Sequence, residues 1–390
     1  MMKRVISIFL FLGFFLLPGV GAAQSEKDAE ALTAPLFETL SLDTVNQFVR
    51  EMNGDFQGKV PELTASSVME FSLKGFAGGS FDFGRFIMEK LTAEGKKNLL
   101  LLGKILVLAV FCALLQNIEN SFERSGISLL CQSLCFAFLS VMALHIFYEV
   151  VLAAGQTVDR MVGFMEALLP VLLSLLTAVG AFTSAALFTP LMLFIVNATS
   201  SVVKDVVLPL LIFSTVLECV NYLAGKYRLV QLASLLKQGA LVILGLLLIV
   251  FIGFVTVQGA AGGVADSVSL RTAKFAAGTF IPVVGKMFAD TVEVVMSASL
   301  LLKNGVGIFG LFVIFLLCLL PLLKLLSLII TIKLAGALVE PLGDAKLAAC
   351  LQGIGNNLLL IFGAVLAVTL MFFLVITMLI GVGNLALLWH

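Results

Sequence analysis

Histidine is almost missing from this 390-residue chain, which has only His145 and the terminal His390. That scarcity excludes His-based metal clusters and Ser-His-Asp chemistry. Charge is scarce too. Asp, Glu, Lys and Arg make up 12% of the residues, where ordinary soluble domains carry roughly 25%. The 24 acids and 24 bases cancel to a formal charge of zero, so there is no electrostatic case for a nucleic-acid partner. None of the six cysteines (Cys112, Cys131, Cys135, Cys219, Cys318, Cys350) belongs to a CxxC pair. Cys131 and Cys135 lie one helical turn apart, which suits small buried apolar residues better than a disulfide framework. Walker loops and dinucleotide fingerprints are also absent, as is any set of nucleophile, base and oxyanion donor. The sequence is therefore not that of a recognisable enzyme, and it implies no cofactor and no metal site.

What is present is hydrocarbon. Apolar residues make up 60% of the chain, which implies a polytopic membrane protein. The expected fold is an all-α membrane bundle of about seven to eight transmembrane helices with re-entrant or interfacial helices. Residues 1–23 have the order of a signal peptide. Lys3 and Arg4 precede the apolar run Val5–Leu17, Pro18 and Gly19 break it, and Gly21-Ala22-Ala23 offers a cleavage site. Residues 24–97 are then expected outside the cytoplasm. Nine acids oppose three bases between Gln24 and Glu70. Leu36, Phe37, Leu40, Val45, Phe48 and Val49 recur at helical spacing, as in amphipathic helices packed on the membrane domain or on a partner. Phe86–Lys97 reads as an interfacial helix with Lys90, Lys96 and Lys97 at head-group level.

Runs approaching the ~20 apolar residues that cross a bilayer follow at 99–115, 129–151, 161–179, 182–203, 206–223, 240–257, 306–332 and 358–381. Residues 98–154 would hold a first helix pair. The remainder shows signs of a tandem repeat. Leu169-Pro170-Val171 resembles Ile281-Pro282-Val283, and Val207-Leu208-Pro209 resembles Leu319-Leu320-Pro321. Pro170 to Pro209 is 39 positions, and Pro282 to Pro321 is also 39. Residues 157–258 would form one unit, and 259–390 the central polar stretch with a second unit. Lys226, Arg228 and Lys237 after the fifth span, and Lys333 and Lys346 after the seventh, favour cytoplasmic loops there.

Residues 257–304 change character. Small residues and glycines mix with Arg271, Lys274, Lys286 and Lys303 and with Asp266, Asp290 and Glu293. Such a stretch is too polar to face lipid and too apolar for a solvated loop. It forms either embedded helices lining something wet or a long amphipathic connector. Lys286 and Asp290 are four apart, so they can pair on one helix face. The candidate functional polar residues are therefore Glu166, Arg271, Lys274, Lys286, Asp290 and Lys324. Glu166, four residues before Pro170, is an intramembrane carboxylate or a surface one paired with Arg160 or Lys204. Lys324 pairs with Glu166 across the repeat interface or marks a cytoplasmic helix end. Asn197, Asn356 and Asn357 fit bonds between helices.

The stretch VQGAAGGVADSVSLRTAKFAAGTFIPVVGKMFADTVEVVMSASLLLKN, with LLPVLLSLLTAVGAFTSAALFTP at 168–190 and QLASLLKQ at 231–238, closely resembles the stage III sporulation protein AE family. The similarity runs from about residue 60 to the C-terminus. The resemblance implies a multi-pass protein of the mother-cell membrane around the engulfed forespore. It also implies partners among the other membrane proteins of the same sporulation operon. Together they would form a channel-like or secretion-like complex between the two cells that forespore development needs. The family has no established catalytic residues to carry over. A stand-alone secondary transporter for a small solute is the competing reading, and a homo-oligomer stays open.

Overall fold

The computed structural model describes residue 37, then 42–54, 56, 61–64, 66–68, 83–120, 125–224, 229–280, 284–342 and 345–388. Side chains within 115–133 and 260–293, and those of 383–388, fall outside that description, as does the expected signal peptide at 1–23. The chain is an all-α bundle. A short amphipathic helix, α1 (Asp43–Asn53), precedes the long helices α2 (Phe83–Asn120) and α3 (Ser125–Ala178). Next come α4 (Phe182–Ser201), a π-helical segment Val202–Val207, and α5 (Leu208–Ala224). Finally α6 (Val230–Phe280), α7 (Val284–Val339) and α8 (Ala345–Leu388) complete the chain. Five of these helices are long and apolar enough to cross a membrane among the described residues. That is fewer than the seven to eight expected.

The reason for the lower number is local. Several polar interruptions between the apolar runs are helical. Ala153–Arg160 (AAGQTVDR) contains one glycine and no proline, so α3 runs straight through it. The expected spans 129–151 and 161–179 are thus parts of one 54-residue helix. At 1.5 Å per residue it extends roughly 81 Å, well over twice the ~30 Å hydrocarbon core. The same continuity joins 86–97 to 99–115 in α2, and 240–257 to the first half of the central stretch in α6. Spans 182–203 and 206–223 meet through the π-helical segment with no break. The expected unit boundaries at 97/98, 154/157 and 258/259 all fall inside continuous helices. Residues 281–283, around Pro282, lie outside the described set.

The chain does turn after α3. Gly180 has φ 91°, a conformation that costs a residue with Cβ dearly. Its N–H donates to the Thr177 carbonyl at 2.8 Å and the Ala181 N–H to Leu176 at 3.1 Å. This pair of bonds is a Schellman stop. Pro170 and Pro321, by contrast, sit within α3 and α7 without ending them.

α7 forms the axis of the bundle. α8 runs antiparallel beside it, with Lys303 opposite Ile380 and Lys333 opposite Asn356. α3 packs on the same helix, with Leu168 against Gly310. α2 joins through Asn98, which donates to Ser327 Oγ at 2.8 Å.

The expected amphipathic N-terminal helix is α1. Val45, Val49 and Met52 are buried, and the Phe48 ring meets Phe164 edge-on at 6.3 Å between centroids. Asn46 clamps the segment that follows. Its Nδ2 donates to the Leu63 carbonyl at 3.2 Å, and the Leu63 N–H donates to its Oδ1 at 2.8 Å. Val68 then rests on Gly305 of α7.

Candidate functional site

Two kinds of polar site are built into this apolar bundle. The first is a groove of about 1020 Å³ between α2, α3 and α7, closed on one side by α1. Its apolar walls come from residues such as Leu101, Ile146 and Leu320. Its charged residues come from four helices. On α2, Lys97 Nζ holds Glu94 Oε1 at 2.8 Å. On α3, His145 Nε2 lies 4.0 Å from Glu149 Oε1. Glu51 of α1 accepts from Gln47 Nε2 at 3.2 Å. Arg160 and Lys324 also line the groove, and no acidic side chain among the described residues pairs with either.

The second kind consists of buried seams between helices. Lys303 is 0% exposed and donates from Nζ to the Ile380 carbonyl at 2.9 Å. A cation so placed is costly unless it has partners. Ser299 Oγ, one turn earlier on the same face, and Asn304 Oδ1 are buried without a hydrogen-bond partner among the described residues. Between α5 and α8, Asn357 Nδ2 donates to Thr215 Oγ1 at 2.8 Å and to Glu218 Oε2 at 2.9 Å. One turn away, Cys219 and Cys350 bring their sulfurs within 3.3 Å. Cys112 and Cys318 are also buried, as the cysteine pattern suggested. The side chains of Cys131 and Cys135 lie outside the described residues. Among the described residues, no three His, Cys, Asp or Glu side chains are placed to hold a metal.

The expected residues separate. Glu166 is exposed and accepts from Asn197 Nδ2 at 2.8 Å, which ties α3 to α4. It does not meet Lys324, which lies in the groove instead. Nor does it pair with Lys204 or Arg160, because Lys204 takes Asp159 and Arg160 turns into the groove. Asn197 and Asn357 make the inter-helix bonds expected of them, and Asn356 Oδ1 accepts from Lys333 at 2.9 Å. The side chains of Arg271, Lys274, Lys286 and Asp290 lie outside the described residues. Glu218 and the burial of Lys303 were not foreseen. The signal was a single charge beside apolar residues, flanked on both sides in Leu217-Glu218-Cys219 and preceded by Leu300-Leu301-Leu302 at Lys303.

The family model of stage III sporulation protein AE matches residues 65–383. The chain is 36% identical over 371 residues to the stage III sporulation protein AE of Bacillus subtilis (strain 168), an alignment covering 94% of this chain and 93% of that protein. No solved structure matches.

Proposed function

This chain belongs to the stage III sporulation protein AE family and has a role in sporulation; from that premise we propose that it is a multi-pass component of an intercellular complex between mother cell and forespore. It sits in the mother-cell membrane with its N-terminal region outside the cytoplasm. Its work there is that of a fixed platform or conduit wall, with other membrane proteins of the same sporulation operon as partners. The observation that supports this reading is the use of polar groups inside the bundle. Asn357, Glu218, Lys303, Asn197 and Glu166 all bond from helix to helix. Such bonds hold helix register, and their loss leaves unpaired groups in hydrocarbon. Helices pinned in this way suit an assembly scaffold. The competing reading, a stand-alone solute permease, is favoured by the presence of a groove between long helices, since transporters bind substrate between their helices.

The two readings part on one experiment. The full chain, tagged and purified in mild detergent from sporulating cells, should migrate with other membrane proteins made in the same stage. Reconstituted alone in vesicles, it should leave solute gradients intact. Isolation as a lone species that dissipates such gradients would reverse the assignment.

A further inference from the structure

We propose that the groove between α2, α3 and α7 is a binding site for one anionic phospholipid. Its phosphate would lie between Lys324 and Arg160, and its acyl chains would follow the apolar wall. Nothing in the platform reading requires this site. Three observations carry the inference.

The first is charge. Lys324 lies well inside the apolar stretch Val294–Val339, yet it is exposed to the groove. A cation within a span is costly without a partner, and it marks a site by default. Arg160 faces the same space from α3. The groove's three carboxylates already have neighbours. Glu94 holds Lys97, Glu149 lies beside His145, and Glu51 accepts from Gln47. Lys90, which lies over the Phe86 ring, also lines the groove. The lining thus carries four Lys and Arg side chains against three carboxylates, and an anion is the chemistry that completes Lys324 and Arg160.

The second is level. On α2 the exposed apolar residues are Met88 and then, directly after Lys96 and Lys97, the run that opens with Leu99 and Leu100. On α7 the exposed apolar surface resumes just after the groove, at Ile330, Leu334 and Leu338, with Val294 and Val295 exposed more than 20 residues before it. On α3 it ends at Leu152, before Arg160. The groove thus lies where an outward-facing apolar belt meets charged side chains and α1. That is the level of lipid head groups, and basic pockets between membrane helices bind anionic ones there.

The third is size and lining. A volume of about 1020 Å³ reaches the upper end of the ~300–1,000 Å³ typical of small-molecule sites. Leu316, Leu317, Leu320 and Leu328 line one side. A free phosphate would leave that wall bare, and a neutral lipid would leave the two cations unpaired.

Native mass spectrometry of the purified full chain would test this site. Phosphatidylglycerol and phosphatidylcholine are offered at equal concentration from neutral detergent micelles. The chain should retain phosphatidylglycerol in preference. The Lys324→Gln/Arg160→Gln variant should bind it roughly tenfold more weakly, at about one to two decades for two cations near a membrane surface. Leu320→Trp fills the groove and keeps both charges. It should give the same loss, so the result does not depend on how the charge variant folds. Inorganic phosphate should fail to displace the lipid. Equal retention of the two lipids, or unchanged binding in both variants, would overturn the proposal. Displacement by inorganic phosphate alone would overturn it too, assigning the groove to a soluble anion.

Discussion

The most apolar 18 residues of α6 (within Val230–Gly259) and of α7 (within Val294–Val339) have nearly the same mean hydropathy, yet 17% of the first set and 78% of the second is buried in the chain. In α6, Val242, Leu246, Ile249 and Val250 point outward. In α7, Val306, Phe309, Val313 and Leu316 contact only protein. The glycines divide in the same way. A Cβ added at Gly239, Gly245 or Gly253 of α6 would meet nothing within 4 Å. At Gly305, Gly307 and Gly310 of α7 it would collide with the Val68 carbonyl oxygen, Ile380 and Leu168 respectively. Lipid tails are as apolar as leucine, so hydropathy cannot distinguish a helix facing lipid from one facing protein. Close approach of small residues can, because dispersion contacts hold membrane helices together.

Three substitutions would break or sharpen this contrast. Gly305→Ala should have the largest effect. The group in the way is backbone, not the end of a flexible side chain, so the 61–68 segment has to move. Overpacking of this kind costs about 3 kcal/mol. Thermal unfolding in detergent should show the drop, together with faster proteolysis before residue 83. An unchanged midpoint would mean that the Val68 contact is dispensable.

Lys303→Met comes second and has the opposite sign. It removes a buried cation whose one described acceptor is the Ile380 carbonyl and keeps an unbranched side chain. Apolar replacement of buried charge is often stabilising, here by about 2 kcal/mol. The unfolding midpoint should rise. If it falls, Lys303 has a counter-charge among the residues outside the described set, and α7 is held by charge as well as by packing.

Gly245→Ala should change least. With open space around the site, the remaining effect is helix propensity, up to about 1 kcal/mol in favour of alanine. The midpoint should stay level or rise slightly. A marked loss would show that the α6 face carries a tightly packed partner helix.

Much of the fold could be read from residues alone, and the misses have a shared cause. The apolar runs placed the helices, and the spacing of Val45, Phe48 and Val49 placed α1 against the bundle. The turn after α3 was marked by Gly180. The expected spans 129–151 and 161–179 are separate runs, yet Ala153–Arg160 between them is helical. A helix ends because a terminator stops it, and hydropathy carries no such information. Of the candidate residues, Lys324 lines the groove and Glu166 does not. The difference came from Asn197 and Asp159, which claimed Glu166 and Lys204 across the α3–α4 turn. No local pattern separates Lys204 with Asp159 from Lys204 with Glu166, because both pairs share the same two helices.

Composition by itself pointed to an all-α membrane chain with too few histidines for a His-based metal cluster, because hydropathy and residue type are properties of each position alone. The order of small and charged residues along 257–304 determined its family in the same way. Tertiary structure decided which apolar helix is the axis, and it brought Lys324 and Arg160 together across 164 positions of chain. It also set Cys219 against Cys350 and Asn357 against Glu218. Those outcomes depend on which faces of straight helices meet. The meeting of faces is fixed by shape and register over tens of ångströms, and no single segment of the sequence contains it.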